Sequence, residues 1–454
     1  MSSFKSFKQL PPISLPVIFF GLAVISGTLL LHEPMSLTRR ISWTDALFTT
    51  TSAVCVTGLT VVDTGQTFSR YGQTIIMVLI QIGGLGIMTF TSLAFYLVRQ
   101  RVSLTDKIAI GQGLVPHSLF SLSHILKAML LGTLLIEGGG ALLLYFMAPS
   151  GSFPPFSALF HAVSAFCNAG FALQPDNLTA WRGNWPVNII FMTLIVSGGL
   201  GFSVLLELFT LAKAYFSAKR PRPRLTWYAG IVLKTSFWLI IGGWVTIFLA
   251  DFIGFHRHSP TPDAILVSLF QSVTCRTAGF NTMNIHAMTN VSLFIMVILM
   301  FIGGAPGSCA GGIKVTTFRT ILSFITSELK GRAQVRAGRF AISGEAVKKA
   351  LVLVIFSGLL IIAATLILSI TEGGDLPHPQ TRGLLFEILF EAVSAFGTVG
   401  LSTGLTPHLS MAGKWIITAL MFIGRLGPLI FLASISAMRR EELYQLPEEE
   451  ILIG

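Results

Sequence analysis

Four short segments of the chain end in a glycine and share the pattern of residues before it. They read Ala53-Val-Cys-Val-Thr-Gly58, Ala165-Phe-Cys-Asn-Ala-Gly170, Val273-Thr-Cys-Arg-Thr-Ala-Gly279 and Ala395-Phe-Gly-Thr-Val-Gly400. Glycine adopts backbone angles that other residues avoid, so it allows a short loop to turn its carbonyl oxygens toward one side. A group of such oxygens can replace the hydration shell of a cation. The four segments therefore predict coordination of a cation by main-chain carbonyls.

The candidate ligands are the last three residues of each segment, aligned on the final glycine. They are Val56, Thr57, Gly58, Asn168, Ala169, Gly170, Thr277, Ala278, Gly279, Thr398, Val399 and Gly400. Side chains that coordinate one ion should be chemically alike, and these differ, which favours the carbonyls as ligands. The four segments contain no carboxylate. Calcium prefers carboxylate oxygens, so the segments favour potassium.

Each segment follows a short stretch with a helix-start signal and lies between two long apolar runs. The stretches begin at Thr44-Asp45, Pro155, Pro262-Asp263 and Arg382. The carboxyl end of a short helix carries partial negative charge, which attracts a cation. Non-helical main chain is tolerated at membrane depth only where it lines water or is buried in protein. The sequence therefore predicts an all-α polytopic membrane protein, with four pseudo-repeated helix–pore loop–helix units around a central pore.

A second glycine motif repeats in phase with the first. Ile82-Gly-Gly-Leu-Gly86, Ser197-Gly-Gly-Leu-Gly201, Ile302-Gly-Gly-Ala-Pro306 and Ile423-Gly-Arg-Leu-Gly427 each follow one loop glycine. One cluster of small residues is ordinary helix packing, whereas two motifs in phase indicate an internal repeat. The predicted units are residues 1–100, 101–220, 221–340 and 341–454, the last with a cytoplasmic C-terminal tail.

The composition excludes a soluble protein. Hydrophobic residues make up 52% of the 454 and charged residues only 11%, whereas a soluble domain carries about 25% charged residues. Eight apolar runs are candidate membrane spans: Ile13–Leu31, Thr74–Val98, Leu122–Met147, Val187–Leu211, Ile231–Leu249, Val291–Ile302, Val347–Ile370 and Trp415–Met438. The first run is predicted to be a retained helix and not a cleaved signal peptide, because it is long and three prolines crowd its entry.

The net charge of +11 does not indicate a site for nucleic acid. Most lysines and arginines fall in alternate connecting segments, a bias that marks the cytoplasmic side of membrane proteins. Both termini are therefore predicted to be cytoplasmic, in the cell membrane, with the lipid bilayer as the partner of the basic residues. The four cysteines, at positions 55, 167, 275 and 309, are expected to pack at helix ends as free thiols.

The third unit carries a segment that cannot remain helical. It consists of Gly303, Gly304, Ala305, Pro306, Gly307, Ser308, Cys309, Ala310, Gly311 and Gly312. Glycine and proline are the two residues least favourable in a helix interior. We predict a loop across the pore below the glycines, followed by Lys314; a passive kink between packed helices is the alternative. Units one, two and four are predicted to keep their second helix largely continuous.

We also predict the placement of four charged or titratable residues. Arg425 replaces a motif glycine in the fourth unit, so it is expected to face the pore axis and act in conduction or gating. The alternative is that it pairs with backbone carbonyls and locks helices together. Arg276 is expected to pair with a carboxylate such as Glu391, and His161 and His286 are predicted to be ordinary interfacial residues.

The chain resembles the Trk/Ktr/HKT potassium transporters over essentially its whole length. The four loops, Thr274-Cys-Arg-Thr-Ala-Gly-Phe-Asn281 and Gly311-Gly-Ile-Lys-Val-Thr316 carry the resemblance. Two further features are similar to those of Ktr-type membrane subunits. The chain starts at the first unit, without an extra helix pair, and it ends with Leu446-Pro-Glu-Glu-Glu-Ile-Leu-Ile-Gly454.

The resemblance implies potassium uptake by a homodimer with one pore per subunit, bound to a cytosolic RCK ring that binds ATP or ADP. It also implies K⁺ as the transported ion, Na⁺ as a possible activator, no organic cofactor, and a gate formed by residues 303–312. In plant relatives a serine at the first loop glycine accompanies sodium transport, and all four glycines are present here.

Two transport alternatives and one enzymatic alternative are considered. A cation-coupled secondary transporter would use broken helices in inverted pairs, whereas these four units share one topology. A sodium-permeable member of the same family is the second alternative. An intramembrane enzyme would need a nucleophile–base or metal motif, and the sequence has none of the motifs sought, so the chain is not expected to be an enzyme.

Overall fold

The computed structural model describes residues 15–100, 122–217, 223–253, 263–374 and 377–436. Fourteen helices of eight residues or more lie in this part of the chain: α1 Leu15–His32, α2 Trp43–Val54, α3 Arg70–Gln100, α4 Leu122–Met147, α5 Pro155–Phe166, α6 Trp185–Leu200, α7 Phe202–Phe216, α8 Trp227–Phe248, α9 Ala264–Thr274, α10 Asn290–Phe301, α11 Val315–Glu328, α12 Gly344–Gly373, α13 Leu384–Gly397 and α14 Met411–Ser436. A small antiparallel hairpin joins β1, Arg336–Ala337, to β2, Phe340–Ala341, with Arg336 opposite Ala341.

The helices follow one order four times: a long helix, a short helix, a loop and a further helical segment. The short helices are α2, α5, α9 and α13, and each ends just before a loop glycine. This is the element order that the sequence predicts. The unit boundaries stay a prediction, since residues 101–121 and 218–222 lie outside the described residues.

Five stretches are long and apolar enough to cross a membrane within the described ranges. They are Leu15–His32, Arg70–Thr89, Leu126–Met147, Trp227–Ile253 and Gly344–Gly373. Helices α6 and α7 together form a sixth candidate, bent by 111° at the break between them. Helix α10 has only 12 residues, which is too short for a bilayer core.

The prediction that only the third unit breaks its second helix is wrong. Gly201 has φ 82° and ψ 147° and separates α6 from α7. Gly427 has φ 74° and ψ 136° inside α14. Both conformations are open to glycine and disfavoured for other residues, so the chain can leave the helical path there. The second helix of the first unit, α3, runs through its own glycine motif without a break.

The short helices share a buried aromatic anchor. Each contains a phenylalanine of which no part is exposed: Phe48, Phe160, Phe270 and Phe390. These side chains belong to two large hydrophobic clusters that surround the loops. Burying a side chain of this size is strongly favourable, so the same contact holds each short helix in place.

The first and fourth units are joined by an ion pair. Lys414 Nζ lies 2.7 Å from Asp45 Oδ1, and the two side chains are 18% and 17% exposed. Asp45 lies in the first turn of α2, whose N-cap Ser42 accepts a hydrogen bond from the Asp45 N–H. The pair therefore connects the start of α2 to the start of α14, and so joins the first unit to the fourth.

Candidate ion pathway

All four glycine loops have the same unusual backbone. The residue two positions before each glycine has positive φ: Val56 54°, Asn168 59°, Thr277 72° and Thr398 48°. The glycines themselves have φ values of 93°, 70°, 74° and 90°. Positive φ in a valine or threonine is a genuine outlier, and such strain persists only where surrounding contacts hold it.

The last turn of each short helix supplies those contacts, and in the third loop the Ala278 N–H donates to the Thr274 carbonyl at 2.9 Å. The N–H groups of Thr57, Ala169 and Val399 donate to serine carbonyls five residues earlier, at 2.8, 2.7 and 2.8 Å. The serine hydroxyls also accept from the glycine N–H in two loops: Ser52 Oγ from Gly58 at 3.0 Å and Ser394 Oγ from Gly400 at 3.1 Å. The loop conformation is thus fixed by the helix that precedes it.

The four glycines form a closed ring. A Cβ atom added at Gly58 would lie 2.5 Å from the Ala169 carbonyl oxygen, at Gly170 3.0 Å from that of Ala278, at Gly279 2.4 Å from that of Val399, and at Gly400 2.1 Å from that of Thr57. Each glycine therefore faces the carbonyl before the next glycine, and the series returns to its start. The four glycines and the residue before each of them thus form the ring, with no room for a side chain at any of the glycines. The other four predicted ligands, Val56, Asn168, Thr277 and Thr398, lie one position earlier in each loop.

A cavity of about 960 Å³ lies on one side of the ring. It is lined by the four glycines and by residues that follow them in each loop. Its ionisable lining residues are Asp63, Asp176 and Arg182. The cavity therefore forms a wide mouth of mixed polar character that leads to the glycine ring.

Residues 303–312 lie on the other side, against residues that precede the glycines. A Cβ added at Gly311 would lie 2.1 Å from Thr398 Oγ1, and one added at Gly312 would lie 3.4 Å from the Gly397 Cα. The segment leaves α10 and returns to the same place, since Gly303 N–H donates to the Ile313 carbonyl at 2.8 Å. It is a loop, as predicted, with its two ends side by side.

The break between α6 and α7 receives this loop. The Ala305 N–H donates to the Gly199 carbonyl at 2.9 Å, and the Cys309 N–H to the Gly198 carbonyl at 3.2 Å. The Phe202 N–H donates to the Gly307 carbonyl at 3.2 Å. The last carbonyls and first N–H groups of a helix lack helical partners, so the break supplies the hydrogen bonds that fix the loop.

Two buried or half-buried cations contact the loop. Arg425, which is 2% exposed, donates to the Cys309 carbonyl and to the Gly83 carbonyl, the latter at 2.8 Å. Lys314 Nζ donates to the Ala310 carbonyl at 2.6 Å. In the described part of the chain neither cation forms an ion pair. Arg425 thus connects the loop to α3 through carbonyls, the interaction considered as the alternative, and its role in conduction stays a prediction.

Arg276 and His161 are placed differently from the prediction. Arg276 Nη2 donates to the Gly303 carbonyl at 2.8 Å, and Glu391 instead accepts from the Thr403 N–H at 3.1 Å. Because α10 ends at Phe301, the Gly303 carbonyl is free to accept the guanidinium. His161 is completely buried and not interfacial, whereas the His286 side chain is 67% exposed. The four cysteines are buried free thiols.

Known proteins resemble this chain along almost its full length. The family described as TrkH, cation transport protein, matches residues 11–442. The chain is 37% identical to the Ktr system potassium uptake protein B of Bacillus subtilis over 449 residues, 98% of this chain and 97% of that protein. It is 36% identical to the potassium/sodium uptake protein NtpJ of Enterococcus hirae over 458 residues, 98% of each chain.

The fold also matches a solved structure. The crystal structure of the potassium transporter TrkH from Vibrio parahaemolyticus superposes with a TM-score of 0.71, at 19% identity, over 94% of this chain and 84% of that chain. The apolar helices and the shared architecture indicate a mostly helical, multi-pass membrane protein. Together with the match over residues 11–442, they place this chain in the TrkH family of cation transport proteins.

Proposed function

We propose that this protein takes up potassium across the cytoplasmic membrane through the ring of four glycine loops. The observation that carries the proposal is the ring itself, in which four glycines alternate with four carbonyl oxygens. Carbonyls at such a ring can replace the water around a potassium ion. Relatives named as potassium uptake proteins support the same ion.

A sodium-permeable pathway is the second candidate. It is favoured by the 36% identity to a protein named potassium/sodium uptake protein. The four intact glycines argue for potassium, because each packs against a carbonyl with no room for a side chain. Relative uptake of the two ions decides between the candidates.

The selectivity filter in this proposal consists of the twelve loop residues from Val56 to Gly58, Asn168 to Gly170, Thr277 to Gly279 and Thr398 to Gly400. Positive φ at the first and third residue of each trio supports this assignment of the filter. A φ that changes sign from one residue to the next allows successive carbonyls to point to the same side of the loop. The gate consists of residues 303–312 with Lys314 and Arg425. Its contacts with residues that precede the glycines support that assignment.

We place both termini and the gate on the cytoplasmic side and the large cavity on the outer side. The protein works as a homodimer with a cytosolic RCK ring that binds ATP or ADP, and Na⁺ acts as an activator. The name "Ktr system" of the relatives supports partner subunits. The basic residues Arg332, Arg336 and Arg339, all exposed, lie near the hairpin and provide a surface for such a ring.

The test of the proposed function uses cells that lack their own potassium uptake systems. The full chain, with and without an RCK partner, is expected to restore growth at low potassium and to take up rubidium faster than sodium. Vector-only cells set the background. If the chain is present in the membrane and neither growth nor rubidium uptake rises, the proposal is wrong; faster sodium than rubidium uptake would establish the second candidate.

Charge reversal of Arg332, Arg336 and Arg339 to glutamate is expected to weaken association with the RCK ring. Only the cytoplasmic face is open to a soluble partner, and ionic contacts between exposed groups are sensitive to salt. Co-purification of the two components over a salt titration measures the effect.

The matched control reverses Arg39, Arg40 and Arg382, which are also exposed and fall in the opposite set of connecting segments. This variant should retain the complex at every salt concentration. Equal yields of complex from the two triple variants would exclude the basic surface as the docking site.

A further inference from the structure

A buried polar residue follows the phenylalanine anchor in each short helix. These residues are Thr49, His161, Gln271 and Glu391, and none is more than 1% exposed. Burying a polar group is unfavourable unless it has hydrogen-bond partners. The partners of these four side chains therefore indicate what each of them does behind its loop.

Glu391 binds the chain just after the fourth glycine. Its Oε1 accepts from the Thr403 N–H at 3.1 Å and from the Ser402 hydroxyl, and its Oε2 accepts from the Thr406 hydroxyl at 2.6 Å. Thr403 lies three residues after Gly400. The carboxylate thus holds the segment that leaves the filter, while the Ser394 hydroxyl accepts from the Gly400 N–H at 3.1 Å. Loop four is fixed on both sides of its glycine.

His161 makes the corresponding contact in the second loop. Its Nδ1 lies 2.7 Å from the Ser157 carbonyl, to which it donates, and this leaves Nε2 as an acceptor for the Leu173 N–H at 3.2 Å. Leu173 lies three residues after Gly170, which is the offset of Thr403 from Gly400. A histidine and a carboxylate thus occupy the same place and bind the same backbone group.

The other two loops lack this contact. The Thr49 hydroxyl and both polar atoms of the Gln271 amide have no hydrogen-bond partner within the described residues. The ring runs from Gly58 to Gly170, Gly279 and Gly400 and back to Gly58, so the second and fourth loops lie across the ring from each other. The hydrogen bond to the third residue after the glycine is therefore made at two opposite loops, whereas the third loop is held by the Thr274 hydroxyl, which donates to the Phe280 carbonyl at 2.6 Å.

We propose that Glu391 and His161 are positioning residues that set the ion selectivity of the filter by fixing the backbone after Gly400 and Gly170. This inference rests on the proposed potassium uptake. Thr398 and Asn168 keep their positive φ only while contacts hold them. When the contact behind a loop is lost, the carbonyls gain freedom to close on a smaller ion, and discrimination between potassium and sodium falls.

Glu391→Gln tests the proposal with little change of shape. The glutamine NH₂ group cannot accept a hydrogen bond, so one of the three donors loses its acceptor. The ratio of rubidium to sodium uptake in vesicles that contain the purified full chain is expected to fall by about tenfold, the effect of a lost hydrogen bond to a charged group.

Glu387→Gln is the matched control. Glu387 lies one turn earlier on α13, its side chain is 32% exposed, and it approaches only His286, at 3.9 Å, among the ion pairs of the described residues. The same charge is removed without loss of a loop contact, so the uptake ratio should stay at the wild-type value. An equal fall in both variants would show that charge alone matters and would overturn the proposal.

His161→Phe tests the opposite loop. The ring is surrounded by Phe153, Phe160 and Phe191, with centroids 5.2, 5.8 and 6.1 Å away, so phenylalanine suits the space and removes the acceptor. Both substitutions must lower the uptake ratio for the proposal to stand. An unchanged ratio in either folded variant overturns it, while a wild-type chain without potassium uptake overturns the proposed function itself.

Thr406→Val provides a second route if Glu391→Gln does not fold. It removes one donor, keeps the carboxylate and its contact with Thr403, and is expected to lower the same ratio by a smaller factor. In the double variant the two effects should combine to less than their product, because both act through one contact. A Thr406→Val protein with wild-type selectivity and wild-type yield would contradict the proposed contact.

Discussion

Deletion of Ala305–Gly311 is expected to raise potassium flux in the absence of any cytosolic partner by at least about tenfold, which corresponds to ~1.4 kcal/mol of barrier. The segment packs against loop residues that precede the glycines and carries the carbonyls bound by Arg425 and Lys314. Its ends are adjacent, since the Gly303 N–H contacts the Ile313 carbonyl and the Val315 N–H contacts the Gly304 carbonyl at 3.0 Å. The chain can therefore be rejoined without a long gap.

Rubidium uptake into partner-free vesicles, corrected for the amount of protein, measures this effect. A variant in which the seven residues are replaced by a glycine–serine loop of equal length is the control. It keeps the length and the main-chain N–H groups that donate to the Gly198 and Gly199 carbonyls, but it loses the rigid Pro306 and the buried Cys309 side chain, so its flux should lie between those of the wild type and the deletion. Lower flux in a deletion variant that still forms a monodisperse protein would identify the segment as a structural hinge.

Arg425→Ala is expected to raise flux in the same assay by less than the deletion does. The substitution removes a buried positive charge and the connection between the Cys309 carbonyl and the Gly83 carbonyl, but the loop itself remains. Arg425→Lys separates these effects, because lysine keeps the charge and lacks the planar group that reaches two acceptors. Flux that is unchanged in both variants would exclude a role of Arg425 in the gate.

Gly58→Ser is expected to lower the ratio of potassium to sodium uptake by about tenfold, as a single strained contact of this kind costs 1–3 kcal/mol. A Cβ at this position would lie 2.5 Å from the Ala169 carbonyl oxygen, so the neighbouring carbonyl must move away from its place in the ring. The φ of 93° adds strain for any residue other than glycine. Rubidium and sodium uptake by the same vesicles give the ratio directly.

Gly151→Ser is the matched control for this substitution. Gly151 has φ 81° and no atom within 4 Å of an added Cβ, so serine there meets backbone strain without a clash. Its uptake ratio should equal that of the wild type. Wild-type selectivity in a folded Gly58→Ser protein would show that the first loop does not contribute to the filter.

Much of the architecture follows from the sequence because its signals are local. The apolar runs, the helix-start residues and the recurring glycines each act within a few residues, so they predict four short helices that end at four loops. The glycine-rich segment 303–312 is unfavourable in a helix for the same local reason. Each of these features is present in the structure.

The partners of the buried polar groups could not be predicted in this way. Arg276 binds the Gly303 carbonyl and not Glu391, because the end of α10 leaves that carbonyl free. His161 lies at an offset of nine residues from its glycine, like Glu391, and a histidine gives no sign in sequence that it occupies the place of a carboxylate. These contacts depend on which groups the folded chain leaves without a helical partner.

The repeated motif Gly-Gly-Leu-Gly shows most clearly what the sequence determines and what the tertiary structure decides. It occurs at residues 83–86 and again at 198–201, and its composition alone determines that a close helix contact or a break is possible there. In α3 the motif stays helical, with the Gly83 carbonyl bound to Arg425. At the end of α6 the helix breaks, because the loop 303–312 donates to the Gly198 and Gly199 carbonyls. Tertiary contacts between residues about 100 positions apart decide between the two outcomes, since glycine weakens a helix without preventing it and also adopts the positive φ of a break.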